Sequence, residues 1–222
     1  MSYNTKNYTE QGGEKTVFSG ELHVPNTAEL TGGMVQIRQY KWTAAQAVAA
    51  DSDGIVDGAA GPSGAEAEEL VVVPEDDAFL AQPPCPRNIV VVVAATTAGN
   101  IAAGDVVIEG LDANGDEISE TFDVTENTAG TLTGSKAFAE ITSITIPVQD
   151  GESVTFDVGW GDKLGLPRKF ANGVHHIGTY LGASAESTAP TFATSGSALS
   201  GNTVDLNSAL NGSAVETLFV VR

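Results

Sequence analysis

From Met34 to Lys41 the side chains alternate, with Val35, Ile37 and Gln39 on one side and Gln36, Arg38 and Tyr40 on the other. A period of two is the mark of a half-buried strand. Ala44 to Ala50 is alanine-rich and suits one or two helical turns. Asp51 to Glu69 is acidic, punctuated by glycine and almost free of large apolar groups, which predicts an exposed loop. Strand signals then follow closely: Leu70 to Val73, Asn88 to Ala95, Asp105 to Gly110, Glu117 to Val124, Lys136 to Pro147 and Ser153 to Trp160. Val174 to Leu181, Thr188 to Thr194, Thr203 to Leu206 and Leu218 to Val221 complete the set. Asp112-Ala113-Asn114-Gly115 supplies an Asn-Gly turn of the kind that closes a hairpin between its two flanking strands. Ile89 to Val93 is apolar on both faces and predicts a central strand covered on both sides.

Short strands at this spacing, with turn chemistry between them and no long helical period, predict an all-β protein. The expected body is an antiparallel β-sandwich or a jelly-roll-like barrel. Residues 1–33 differ in composition. They are polar and glycine-rich, with two short extended candidates, Thr16 to Phe18 and Glu21 to Val24, and a hinge at Thr31-Gly32-Gly33. Strands this short do not hold themselves together in water. The division predicted is therefore an N-terminal arm, 1–33, that needs a partner, and a β-sandwich body, 34–222.

Charge narrows the function. The chain holds 29 acidic and 10 basic side chains, a formal net charge of −19. Such a surface repels phosphates and anionic lipid, so neither nucleic acid nor membrane is an expected partner. Cys85 is the single cysteine, which excludes an internal disulfide. The opening residues contain no apolar run, so no signal peptide is expected, and the run from Ile89 to Ala95 is too short to span a bilayer.

Candidate chemistry is sparse. Asp112, Asn114 and Asp116 resemble the start of a calcium loop, but the glycine lies at the fourth position instead of the sixth, and Asp123 at the twelfth falls inside a predicted strand. The hairpin turn is the better reading. Asp51, Asp53 and Asp57 read as a solvated loop. His175 and His176 are adjacent on a predicted strand and point to opposite faces, so they cannot chelate one ion together. No Gly-x-Ser-x-Gly elbow is present, and Gly12-Gly13 and Gly32-Gly33 lack the ending of a phosphate loop. No catalytic residue, metal or cofactor is predicted, and an enzyme is not expected. The segment Gly159 to Pro167, with glycines on both sides of Trp160, suits a ring driven into a pocket or a subunit contact. Lys163, Arg168 and Lys169 follow as a basic cluster that can pair with a neighbouring copy or an acidic partner, or serve as a solvated turn. Trp160, Leu164, Leu166 and Arg168 are the expected oligomer-contact residues.

The stretch NYTEQGGEKTVFSGELHV, residues 7–24, resembles the opening of phage head fibre proteins. In order along the body, MVQIRQYKWTAAQAVAADSDGI, PPCPRNIVVVV, GSKAFAEITSITIPVQDG, GWGDKLGLPRKF and GNTVDLNSALNG resemble phage and prophage virion structural proteins of the capsid-decoration or head-associated kind. The first segment departs from the pattern at Phe18 and Ser19, where an aliphatic residue and glycine are expected. The resemblance implies a β-rich virion component on the capsid exterior, assembled in the host cytoplasm. It also implies a contact with the major capsid protein through Tyr8, Thr9, Gln11, Gly12, Gly13, Thr16, Val17, Phe18 and Leu22. Pooling the short strands of three chains would cover each exposed edge, so a homotrimer is expected. The competing readings are a tail or baseplate protein and a module that binds a host-surface glycan. The aromatic candidates for the latter are Tyr40, Trp42, Trp160 and Tyr180.

Overall fold

A computed structural model describes residues 7–9, 16–18, 36–171 and 173–221. The chain divides into two units, 1–34 and 35–222. In the first, β1 (Asn7–Thr9) pairs antiparallel with β2 (Thr16–Phe18). Glu21 to Val24 and the Thr31-Gly32-Gly33 hinge lie outside the described residues.

The second unit is all-β, antiparallel and sandwich-like, with one 3-10 turn at Ala98–Asn100. Its strands are β3 (Gln36–Trp42), β4 (Asp51–Ala60), β5 (Leu70–Val72), β6 (Arg87–Ala95), β7 (Gly104–Leu111), β8 (Glu117–Val124) and β9 (Gly130–Phe138). There follow β10 (Glu140–Ile146), β11 (Val154–Gly165), β12 (Val174–Leu181), β13 (Ser184–Ala185), β14 (Thr191–Ala193), β15 (Thr203–Asp205) and β16 (Val215–Val221).

Three sheets result. One runs β14-β15-β11-β6-β9, with β4 also paired to β11. A second, β5-β10-β7-β8, faces it. Between them lies the larger core, in which Ile89, Val91 and Val93 from β6, Phe156 and Val158 from β11, Val106 and Ile108 from β7, and Ile144 and Ile146 from β10 are almost fully buried. The period of two along each strand produces this packing, since alternate residues share a face. The outward Val90 and Val92 of the central strand are only half-buried. The third sheet, β13-β12-β16-β3, packs its inner face on the far ends of β11 and β15. There Trp42, Leu164, Leu166, Phe170, Val204, Leu206, Val215 and Phe219 form a second core. Phe219 is its centre, with the rings of Tyr40, Phe170 and Phe192 at 5.4, 5.4 and 5.2 Å.

Two expectations are corrected. Residues 51–60 form a strand instead of a loop, because Ile55 and Val56 enter the larger core while the backbone pairs with β11. Two register shifts break the alternation that would have revealed it. The stretch 136–147 is not one strand. The chain turns at Ala139, whose amide donates to Leu111 O at 2.8 Å, and passes from β9 in one sheet to β10 in the other. The alanine-rich segment yields a single turn, with the amides of Gln46 and Ala47 donating to Thr43 O.

Candidate functional site

The arm contributes Tyr8 and Thr9 on β1 and Thr16, Val17 and Phe18 on β2. The register sets Tyr8 opposite Val17 and Thr9 opposite Thr16. Gln11, Gly12, Gly13 and Leu22 lie outside the described residues. Ordering a residue costs roughly 1–2 kcal/mol of backbone entropy. A cross-strand pair returns about 0.2–1 kcal/mol. Three such pairs do not offset the ordering of six residues, so the ladder requires further burial to persist.

The expected oligomer contacts separate. Leu164 and Leu166 are 0% and 1% exposed within the single chain, as members of the second core. They offer no surface to another copy, and this corrects the sequence expectation for those two. Trp160 is half-buried and packs on the larger core, where its Nε1–H donates to Ala49 O at 3.2 Å. Its flanking glycines serve the backbone. A Cβ on Gly159 would lie 1.8 Å from Asp51 O, and one on Gly161 would lie 2.5 Å from Asn88 Nδ2. The glycines let β4 and the Asn88 side chain approach β11. Arg168 alone of the four is exposed.

Sequence reasoning missed the buried polar residues that tie connecting segments to the strands. Arg87, the lone base in a long acidic stretch, is 0% exposed. Its Nε–H donates to Gly161 O at 2.8 Å, Nη2 donates to the same oxygen, and Nη1 donates to Gln46 O at 3.3 Å and Val48 O at 3.2 Å. Asp162 Oδ1 stands 3.9 Å from Nη2. Burial draws the guanidinium pKa down, opposed by nearby Cys85 and Asp162. Arg87 therefore ties the 46–48 segment to β11 where the two cores meet. Asn202, within the GNTVDLNSALNG stretch, is a second node. Its Oδ1 accepts from the amides of Phe170 and Ser195, and its Nδ2 donates to Ser195 O and Ala198 O. The signal for Arg87 was a single base in a long acidic stretch, whereas Asn202 lies among other small polar residues and carried no such signal.

The remaining chemical candidates have structural partners. Asp112 Oδ1 accepts from the amides of Asn114 and Asp116, and Gly115 takes φ +83°, so the hairpin turn uses that carboxylate. Cys85 is buried, its Sγ–H donates to Gln46 O at 3.4 Å, and burial raises the thiol pKa to about 11. At neutral pH it is a protonated thiol, a poor nucleophile. His176 Nε2 lies 2.9 Å from Thr179 Oγ1, while His175 is exposed on the opposite face. Asp53 beside Asp51 holds the Asp51 carboxyl above its ordinary value. Of the four aromatic candidates for glycan stacking, Trp42 is buried, Tyr40 and Trp160 are half-buried, and Tyr180 is exposed.

Among the described residues, no three His, Cys, Asp or Glu side chains converge as metal ligands, and no helix is long and apolar enough to cross a membrane. Compared with family models, curated proteins and solved structures, the chain shows no significant match.

Proposed function

We propose that this protein is a virion structural component that decorates a bacteriophage capsid, docking on the major capsid protein through residues 1–33 and holding its body outward as a homotrimer. The observation that carries the reading is the contrast between the two units. The first contains a ladder of three residue pairs, too short to offset its own ordering, whereas the second fills two cores from its own strands. A ladder too short to hold itself together, attached to a body that fills its own cores, suits a role of docking and display. Repeated over many sites on a shell, modest arm affinity is multiplied by avidity. The strong acidity of the chain keeps its bodies apart at the high local concentration of a shell. The resemblance of residues 7–24 to head fibre proteins points the same way. Deleting residues 1–33 tests the reading: the body should stay folded and no longer sediment with capsids.

A further inference from the structure

Charge is not spread evenly over the body. Residues 51–165, which build most of the larger sandwich, carry 22 acidic and 3 basic side chains. Residues 35–50 and 166–222, which build the third sheet, its connections and the strands β14 and β15 at the edge of the first sheet, carry 3 acidic and 5 basic ones. Two copies that approach through their sandwiches meet strong like-charge repulsion, whereas approach through the third sheet meets almost none.

The outer face of that sheet also carries three of the five exposed large hydrophobic side chains among the described residues, Ile37, Ile177 and Tyr180. The register stacks Ile37 beside Val220, Gln39 beside Leu218, and Lys41 beside Glu216. On the other flank His175 lies beside Val220, Gly178 beside Leu218, and Tyr180 beside Glu216. Ile37 is 64% exposed and Tyr180 42%, with Leu218 and Val220 half-buried between them. Ile177, the extra residue of the bulge in β12, adds 51% exposure. A Cβ on Gly178 would stand 3.7 Å from the Tyr180 ring, so the ring lies along this face. The charges here cancel locally, as Lys41 Nζ stands 3.0 Å from Glu216 Oε2 and Gln39 also donates to that carboxylate.

We infer that the outer face of β3, β16 and β12 lines the shared axis of the homotrimer, each copy turning it toward the same face of its two neighbours. A face without net charge has no excess of one sign with which to select an acidic or basic foreign partner, yet it suits itself. On a chain of net charge −19 it is the surface where self-contact costs least. Packing Ile37, Ile177, Tyr180, Leu218 and Val220 against their counterparts would remove the largest exposed apolar side chains of the sheet from water. The inference rests on the self-association in the proposed function and replaces Leu164 and Leu166 as its contact residues. It does not depend on shell attachment.

The test is the mass of the full-length chain by light scattering, for the native sequence and two double variants. Ile37→Asp with Ile177→Asp places charge on the face at exposed positions. Val71→Asp with Leu80→Asp does the same at exposed apolar positions elsewhere, which are 51% and 58% exposed. The expected result is a multimer for the native chain and the second variant, and the single-chain mass with an intact β-sheet circular dichroism spectrum for the first. A native chain of single mass at every concentration, or a first variant that keeps the multimer, would overturn the inference. Multimers that do not sediment with capsids would uphold it and count against the virion reading instead. Single chains that do sediment would overturn it and leave the capsid docking standing without the homotrimer.

Discussion

Arg87 shows how a single side chain couples two cores. The carbonyls of Val48 and Gly161 accept from its donors, and that of Gln46 accepts both from it and from the Cys85 thiol. Each buried acceptor left without a partner costs about 1–3 kcal/mol. Arg87→Met, which keeps the apolar stem and removes the donors, should therefore destabilise the chain by about 3 kcal/mol. The denaturant midpoint should fall with little change in slope. An unchanged midpoint would show that water reaches those carbonyls. His176 gives a pH signature. Burial is the main cause that lowers its pKa below the ordinary 6.5, and His175 adds to it. The unfolded chain then takes up the proton first as pH falls, so this group's contribution is complete above about 6.5 and declines in the window beneath it. His176→Asn should flatten the stability profile between pH 7 and 5 relative to the native chain. If the two profiles run parallel there, the imidazole is not held neutral by the fold.

At the scale of elements, strands announced by regular alternation were legible and those shaped by irregularity were not. Glu117–Val124 falls where the pattern places it because it keeps a clear alternation bounded by turn residues, and Val174–Leu181 is marked by the glycines that bound it, despite the bulge at Ile177. β4 escaped because it contributes two adjacent core residues, Ile55 and Val56, where alternation would give one. β9 was concealed by its small residues. Gly134 belongs there because a Cβ would stand 2.5 Å from Glu120 Oε2 and 2.9 Å from Ile89 O. The Glu120 carboxylate in turn accepts the amides of Ser135 and Lys136, fastening the edge of one sheet to the other. The Gly-Trp-Gly segment stood out in the sequence, but its purpose depends on strand pairing that no local pattern encodes. Gly159→Ala should detach the beginning of β4 from β11, since the added carbon would collide with Asp51 O. Hydrogen exchange should then accelerate in residues 51–54 and stay slow in β7. Unchanged protection at 51–54 would mean that the strand absorbs the methyl group.

For the whole molecule, composition established the all-β class and the direction of the charge, but not its segregation. Residues 35–50 and 166–222 are far apart in sequence, and only folding unites them as a nearly neutral lobe. Leu164 and Leu166 likewise looked available in a glycine-rich segment until the third sheet was seen to cover them. The proposed role assigns separate duties to separate parts: the arm attaches, the neutral sheet face joins copies, and the acidic sandwich faces outward. Docking by the arm is the central duty, and co-sedimentation with purified capsids tests it most directly. Full-length chain and the 34–222 body are compared over one concentration series, with circular dichroism to verify the fold of both. The account predicts saturable sedimentation of the full-length chain and none of the folded body. Equal sedimentation of the two would contradict it.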